Sequence, residues 1–340
     1  MNGASKSTTI RDVAQYVGIS VTAVSQILNG KGDRFSDETI RKVQEAQRVL
    51  NYHPNFYARG LVGQRSNSIG IVIPNIMNPF FASLVLSVEN AAIPKGIFPQ
   101  VFSVNGFHEN IDYFIEQFIS GTQKGLILAA PGASQEIVDK LAISNSLPMV
   151  LTDQADLSGN YDMVLIDELK AGELIASHLL DLGHTRIAIV LPFGLTLNLK
   201  HRFDGYKLAF KLHHVAVPLD LVFQSNFDPS GGVDAVERIV ETDATAIIAI
   251  NDDVAIGIYR GLSAHHKSIP DDYSVVGFDN INLTNYLTPR LTTVEQPIDK
   301  IGEQAVQMLV GKMTDPTAEH QSVILDVKLK IRDSTKKLEM

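Results

Sequence analysis

Thr9-Ile10-Arg11-Asp12-Val13-Ala14-Gln15-Tyr16-Val17-Gly18-Ile19-Ser20-Val21-Thr22-Ala23-Val24-Ser25-Gln26-Ile27-Leu28-Asn29-Gly30 carries the apolar spacing of two short helices joined by a tight turn. Ile10, Val13, Ala14 and Val17 stand at i, i+3, i+4 and i+7. Thr9 with Asp12 three residues on fits a capping box, and Gly18 is placed to end the helix. Ser20 caps a second helix that buries Val21, Val24 and Leu28, and Asn29-Gly30 stops it. A third helix starts at Ser36 and buries Ile40, Val43, Ala46 and Leu50. Two short helices around Gly18-Ile19-Ser20 read as a helix-turn-helix, whose second helix enters the DNA major groove. On that helix Thr22, Ser25 and Gln26 face away from the core, with Val21 at its N-terminal end. Glutamine can pair twice with adenine, and valine or a threonine methyl can meet a thymine methyl. The alternative at this stage is a small helical bundle without a DNA partner.

Charge separates the two readings. The whole chain of 340 residues has a net charge of -9, which argues against nucleic acid if taken as one number. Divided, residues 1–65 carry nine Lys and Arg against five Asp and Glu, a net of +4, while the remainder is at -13. A basic head on an acidic body is expected when one end meets phosphate.

The words of the headpiece also resemble a family. Thr9-Ile10-Arg11-Asp12-Val13-Ala14, Gly18-Ile19-Ser20, Val24-Ser25, Leu28-Asn29 and Leu50-Asn51-Tyr52-His53-Pro54-Asn55, leading into Ala58-Arg59-Gly60-Leu61, resemble the headpiece of LacI/GalR repressors. The resemblance implies a DNA-binding headpiece over residues 1–54, a hinge helix and linker over 55–66, and a core over 67–340. It implies DNA contacts from Thr9, Ser20, Val21, Thr22, Ser25, Gln26, Asn29, Asn55, Ala58 and Leu61. Leu61 matches the leucine that wedges between base pairs, and Ala58 packs beside it. The hinge is too short to be stable alone, and Gly60 costs it about 1 kcal/mol of helix propensity, in keeping with a segment that folds only when two copies pair in the minor groove. One departure matters: Gln26 stands where relatives often carry an arginine that reads guanine.

From residue 66 onward the pattern changes. Ile69–Pro74, Gln100–Val104, Gly125–Ala130, Met149–Thr152, Ile187–Leu191, Ala246–Ile250 and Ser274–Phe278 are short apolar runs. Amphipathic stretches lie between them, among them Phe80–Ala92, Ile111–Ser120, Ala171–Leu182 and Val233–Glu241. Alternating strand and helix predicts α/β architecture with parallel sheets. The runs at Ile69–Pro74 and Gly125–Pro131 echo those at Arg186–Pro192 and Ala246–Asp252. Two similar halves fit the type I periplasmic-binding-protein-like fold, as the resemblance also implies. It places an N-subdomain at about 67–166 and 298–325, and a C-subdomain at about 167–297 and 326–334.

Ligands of such sheets bind beyond the carboxyl ends of the strands. There, and where Asn78-Pro79-Phe80-Phe81, Arg202 ahead of Gly205 and Leu291–Pro297 resemble the family's pocket motif, arginine and last crossover, the chain offers Asn78, Phe80, Phe81, Asp153, Asn198, Arg202, Phe227, Asn251, Asp279 and Gln296 as candidate effector-binding residues. Aromatic faces suit the C–H side of a sugar ring, and Asp, Asn and Arg suit its hydroxyls. Of Phe80 and Phe81, one is expected to be core. The predicted effector is therefore a sugar.

Other functions find little support. Gly30-Lys31-Gly32 lacks the third glycine and preceding strand of a dinucleotide loop, and Gly311-Lys312 lacks the flanks of a phosphate loop. His213-His214 and His265-His266 are adjacent pairs whose side chains diverge on a helix. There is no Gly-x-Ser-x-Gly elbow and no cysteine, so no catalytic constellation, metal site or cofactor is expected. A sugar-delivering binding protein would share the core fold but would call for a secretion signal and no basic headpiece. Missing cysteines, a missing signal segment and missing 18-residue apolar stretches predict a cytoplasmic protein outside the membrane. The tail from Arg332 to Met340 has no leucine heptads, which predicts a homodimer rather than a tetramer.

Overall fold

The computed structural model describes residues 8–28, 32–52, 67–104, 123–129, 139, 147–153 and 160–338. The chain divides into two compact units, residues 1–66 and 67–340. Expected contacts at Asn29, Asn55, Ala58 and Leu61, and the predicted helix at Ile111–Ser120, lie outside the described residues.

In the first unit, α1 spans Ile10–Val17, α2 Val21–Leu28 and α3 Asp37–Val49. The Asp12 carboxylate accepts from both the Thr9 backbone N–H and the Thr9 hydroxyl at 2.7 Å, tying down the first turn of α1. Gly18 ends α1 with φ of 78°, a left-handed conformation that costs glycine little. The Ser20 and Ser36 hydroxyls accept from the N–H groups of Ala23 and Thr39, capping α2 and α3. Val13, Ala14, Val24, Ile27, Val43, Ala46 and Tyr52 form the buried core. The expected face of α2 needs correcting: Ile27 is buried, Leu28 is half-buried and Val21 is exposed. The 3.6-residue period brings Ile27 beside Val24 and turns Val21 outward.

Among the described residues the second unit holds two six-stranded sheets. The first contains β1 (Ser68–Ile73), β2 (Phe98–Ser103), β3 (Leu126–Leu128), β4 (Met149–Thr152), β5 (Asp162–Ile166) and β11 (Ser322–Leu325), in the order β11-β5-β4-β3-β1-β2. The second contains β6 (Ile187–Pro192), β7 (Val222–Ser225), β8 (Ala246–Ala249), β9 (Ser274–Asp279), β10 (Thr292–Glu295) and β12 (Lys328–Lys330), in the order β12-β10-β9-β8-β6-β7. Shifted by five, the first five strands of each sheet take the same places. All pairings are parallel except β10 with β12. Central strands are mostly apolar because both faces are covered: β1, β6 and β9 are buried at every position.

The covering helices are α4 (Pro79–Ala92) and α9 (Ile298–Thr314) in the first half. In the second they are α5 (Glu168–Asp181), α6 (Leu197–Leu212), α7 (Pro229–Ile239) and α8 (Asp252–Ala264). Two glycines let α5 and α6 cross at backbone contact. A Cβ on Gly172 would stand 2.1 Å from the Arg202 carbonyl oxygen, and one on Gly205 would stand 2.1 Å from that of Leu169. This close crossing brings the side chains of Glu168 and Arg202 together. The chain passes from the first half to the second between β5 and α5, returns between β10 and α9, and passes again after β11. No described helix is long and apolar enough to cross a membrane.

Candidate functional site

In the headpiece, Thr9, Ser20, Val21 and Thr22 are exposed, and Ser25 and Gln26 are half-buried. Thr22 and Gln26 lie one turn apart on the side of α2 away from Val24 and Ile27. Arg11, Arg34, Arg41, Lys42 and Arg48 are exposed around this helix set. Lys42 pairs with Glu38 at 2.8 Å, and that lysine holds the Glu38 carboxyl below the usual carboxylate range. Both partners are solvated, so the pair adds little stability.

In the core, a cavity of about 780 Å³ lies between the two halves. Its lining includes every one of the ten predicted positions: Asn78, Phe80, Phe81, Asp153, Asn198, Arg202, Phe227, Asn251, Asp279 and Gln296. Their placement follows from the topology. Asn78, Phe80 and Phe81 follow β1, Asp153 follows β4, Phe227 follows β7, Asn251 follows β8, Asp279 ends β9 and Gln296 follows β10. Asn198 and Arg202 lie one turn apart on α6. Phe80 and Phe81 meet edge to face at 5.1 Å, and both are buried in the core of the first half while lining the cavity. The expected division of these two into one core residue and one cavity residue therefore does not hold.

Arg202 is the centre of the polar wall. Its Nε donates to Glu168 Oε2 at 2.7 Å, Nη2 donates to Glu168 Oε1 at 3.0 Å and Nη1 donates to the Ile250 carbonyl at 2.8 Å. The guanidinium lies 3.3 Å from the centroid of the Phe278 ring. Arg202 is 3% exposed and Glu168 8%. Burial opposes the arginine charge, but Glu168 more than restores it and leaves the pKa above its ordinary value. Three of five guanidinium N–H bonds are thus used within the protein.

The carboxyls beside it are strongly perturbed. Burial, followed by the Glu168 charge, pushes Asp153 up to about 8, although Asn198 Nδ2 donates to it at 3.1 Å. Burial and then the neighbouring Asp252 raise Asp279 well above the carboxylate range, and Gln296 Nε2 donates to Asp279 Oδ1 at 2.7 Å. Asn251 caps α8 by accepting from the Val254 N–H at 2.9 Å, and Asn78 caps α4 by accepting from the Phe80 N–H at 2.9 Å. The Asn251 amide nitrogen is buried without a hydrogen-bond partner, a donor left over in the cavity wall.

Sequence reasoning missed Glu168, which lies 34 residues from its partner. The available signal was the demand of a buried arginine for a carboxylate, set against Asp167-Glu168 just past β5. It also missed Phe193, Thr196, Asp253 and Leu283, which line the cavity from loops and helix starts. Among the described residues, no group of three or more His, Asp or Glu is placed to hold a metal ion.

Comparison with known proteins agrees with this arrangement. Residues 9–55 match a family model described as bacterial regulatory proteins, lacI family, and residues 176–335 match one described as a periplasmic binding protein-like domain. The ribose operon repressor of Escherichia coli (strain K12) is 32% identical over 321 residues, covering 93% of this chain and 96% of that protein. The transcriptional regulator DegA of Bacillus subtilis (strain 168) is 32% identical over 334 residues, covering 97% and 99%. A solved LacI family transcriptional regulator from Enterococcus faecium with bound ribose is 31% identical, with a TM-score of 0.74 over 80% of this chain and 100% of that one. The lac repressor dimer bound to operator and the anti-inducer ONPF shares the fold, with a TM-score of 0.85 at 23% identity over 97% of this chain and 100% of that one. A capped helix-turn-helix in the first unit, a two-sheet core in the second and relatives matched along nearly the whole length lead to one conclusion: the chain belongs to the LacI family of bacterial regulatory proteins, DNA-binding transcription regulators rather than enzymes.

Proposed function

We propose that the chain is a cytoplasmic repressor that binds a near-palindromic operator as a homodimer and is controlled by a small uncharged sugar held in the core cavity. The observation that carries the sugar reading is the charge of that cavity. Among the described lining residues Arg202 is the one cation, and Glu168 already neutralises it, while Asp153, Asp228, Asp253 and Asp279 are acidic. A phosphate ester or carboxylate would meet carboxyl groups without a spare cation. A polyol meets acceptors for its hydroxyls, the spare Asn251 donor, and the rings of Phe80, Phe81 and Phe227 for its C–H face. The names of relatives point the same way, with a ribose operon repressor and a ribose-bound family member among them.

In this reading Asn78, Phe80, Phe81, Asp153, Asn198, Arg202, Phe227, Asn251, Asp279 and Gln296 contact the effector. Thr9, Ser20, Val21, Thr22, Ser25, Gln26 and Asn29 contact the operator from the headpiece at 1–54. Asn55, Ala58 and Leu61 do so from the hinge at 55–66. The core divides into an N-subdomain of about 67–166 with 298–325 and a C-subdomain of about 167–297 with 326–334. Effector alters the angle between the halves and thereby the pairing of the two hinges. Coupling is reciprocal, so operator DNA changes effector affinity by the same factor as effector changes operator affinity.

Titration calorimetry of the full chain against D-ribose, D-ribose 5-phosphate and hypoxanthine tests the effector class. Saturable binding of ribose with none of the phosphate is expected. Binding of the phosphate or the purine alone overturns the sugar reading. Fluorescence anisotropy on duplexes selected from a random library tests the DNA arm. Affinity there should fall steeply as salt rises.

A further inference from the structure

We propose that Arg332, on the C-terminal strap, is a positioning residue for the effector cavity: it latches the segment from Asp279 to Leu291 and so fixes Asp279 and Leu283 in the cavity wall. This rests on the reading of that cavity as the effector site.

The latched segment begins with two successive non-glycine residues in the left-handed region, Asp279 at φ 110° and Asn280 at φ 56°. Such a backbone persists only where its surroundings fix it. The fixing contacts come from three directions. From the strap, Arg332 Nη2 donates to Asn280 Oδ1 at 2.6 Å, and Nη1 donates to the Leu291 carbonyl at 2.7 Å and to Thr284 Oγ1 at 3.3 Å. From the start of α8, Asp252 Oδ2 accepts the Ile281 N–H at 2.9 Å. From β10, Thr293 Oγ1 accepts the Asn280 N–H at 3.3 Å while donating to Asp252 Oδ1 at 2.7 Å, and Glu295 Oε1 accepts from Asn280 Nδ2 at 3.0 Å. One guanidinium therefore closes both ends of the loop, holding its entry at Asn280 and its exit at Leu291. A planar fork does this with fixed geometry, which a lysine cannot copy.

The strap does not depend on that side chain for its own place. The Ser334 hydroxyl donates to the Val275 carbonyl at 2.6 Å and accepts the Thr292 N–H at 2.7 Å. The Arg332 N–H donates to Thr292 Oγ1 at 3.0 Å, and Asp333 pairs with Arg290 at 2.9 Å. Removing the guanidinium should then release the loop while leaving the strap attached. Asp279 would lose its fixed distance to Gln296, and Leu283 its place in the wall.

The test uses the full chain with Arg332→Ala and Arg332→Lys. Hydrogen exchange of peptides spanning 279–291 should quicken about tenfold or more in both variants, with β6 and β8 unchanged. D-ribose affinity should fall about tenfold, while affinity for the library-selected operator stays within about twofold. Combined with Asn280→Ala, the loss should be no greater than that of the weaker-binding single variant, because both act through one contact. Unchanged exchange in 279–291, or exchange raised equally across the second half, overturns the latch. So do additive losses in the double variant. If wild type binds no ribose, the sugar reading fails by itself and hydrogen exchange still decides for or against the latch.

Discussion

Past the strand tips of the first sheet the cavity meets Asn78, Pro79, Phe80, Phe81 and Val104, with Asp153 as the one ionisable group among these described residues. Past those of the second it meets Asn198, Arg202, Asp228, Asn251, Asp253, Asp279 and Gln296, together with the apolar Phe193, Phe227 and Leu283. The strand order is the same in both halves, so topology does not cause this difference. The helix starts do. The first half opens α4 with Asn-Pro-Phe-Phe, filling its tips with aromatic bulk. The second half crosses α5 and α6 at paired glycines, and this close approach brings an ion pair together beside the cavity. The first wall supplies mainly shape, and the second supplies most of the hydrogen-bond chemistry beside apolar surface of its own.

The sharpest way to break this comparison is Arg202→Ala. It leaves Glu168 buried without its partner, a class of change that costs about 3–5 kcal/mol, and it should abolish effector binding. Urea unfolding and calorimetry check the two effects separately. A milder loss together with retained ribose binding would mean that recognition does not centre on the second half. Phe80→Ala attacks the other wall. It should cost about 3 kcal/mol or more through the cavity it opens, with reduced but measurable ribose affinity. Gly205→Ala tests the crossing itself. Overpacking there should cost about 1–3 kcal/mol and weaken effector binding by displacing Arg202, without any change to a lining residue.

The pH dependence carried by Asp153 is spread over several pH units. Its folded pKa, at about 8, lies above that of the unfolded chain, so the folded state holds a proton that the unfolded state has released. Stability from this group is therefore present at low pH and is lost as pH rises from about 4 to about 8, by at most about 1.4 kcal/mol per pH unit. Asp153→Asn should flatten that slope and raise stability at pH 8, as read from unfolding midpoints across the range. In the headpiece, outside the two-wall comparison, Gln26→Arg should move the base selected at one symmetric operator pair from adenine to guanine. A bidentate contact of this kind is worth about 1–3 kcal/mol of discrimination, and ribose affinity should not change.

Legibility in the sequence followed the range of the interaction. Gly18, Ser20 and Ser36 act within three or four residues of themselves, and each was readable as a helix stop or cap. The buried strands β1, β6, β8 and β9 were readable as apolar runs. The strands β5, β7, β10, β11 and β12 were not, because they are short or one-sided, with exposure alternating along β11. Eight of the ten cavity positions were reached through motifs at strand ends, and Asn198 and Arg202 lie instead on α6. The chemistry of the cavity was not readable, because it depends on distant partners: Arg202 on Glu168, Asp279 on Gln296, and Asn280 on Arg332 at a separation of 52 residues. Ile27 was misplaced for a simpler reason. On an eight-residue helix two apolar stripes compete, and packing against α1 and α3 decides between them.

The shared strand order of the two sheets bears on how such a molecule can change over generations. Two halves built alike bring equivalent strand ends to one cavity, yet they carry different side chains there. Most of the polar cavity residues sit on a continuous run from Asn198 to Gln296, well apart in the chain from the headpiece. Substitutions in that run can therefore change ligand preference over generations without altering the operator-reading helix or Phe80 and Phe81.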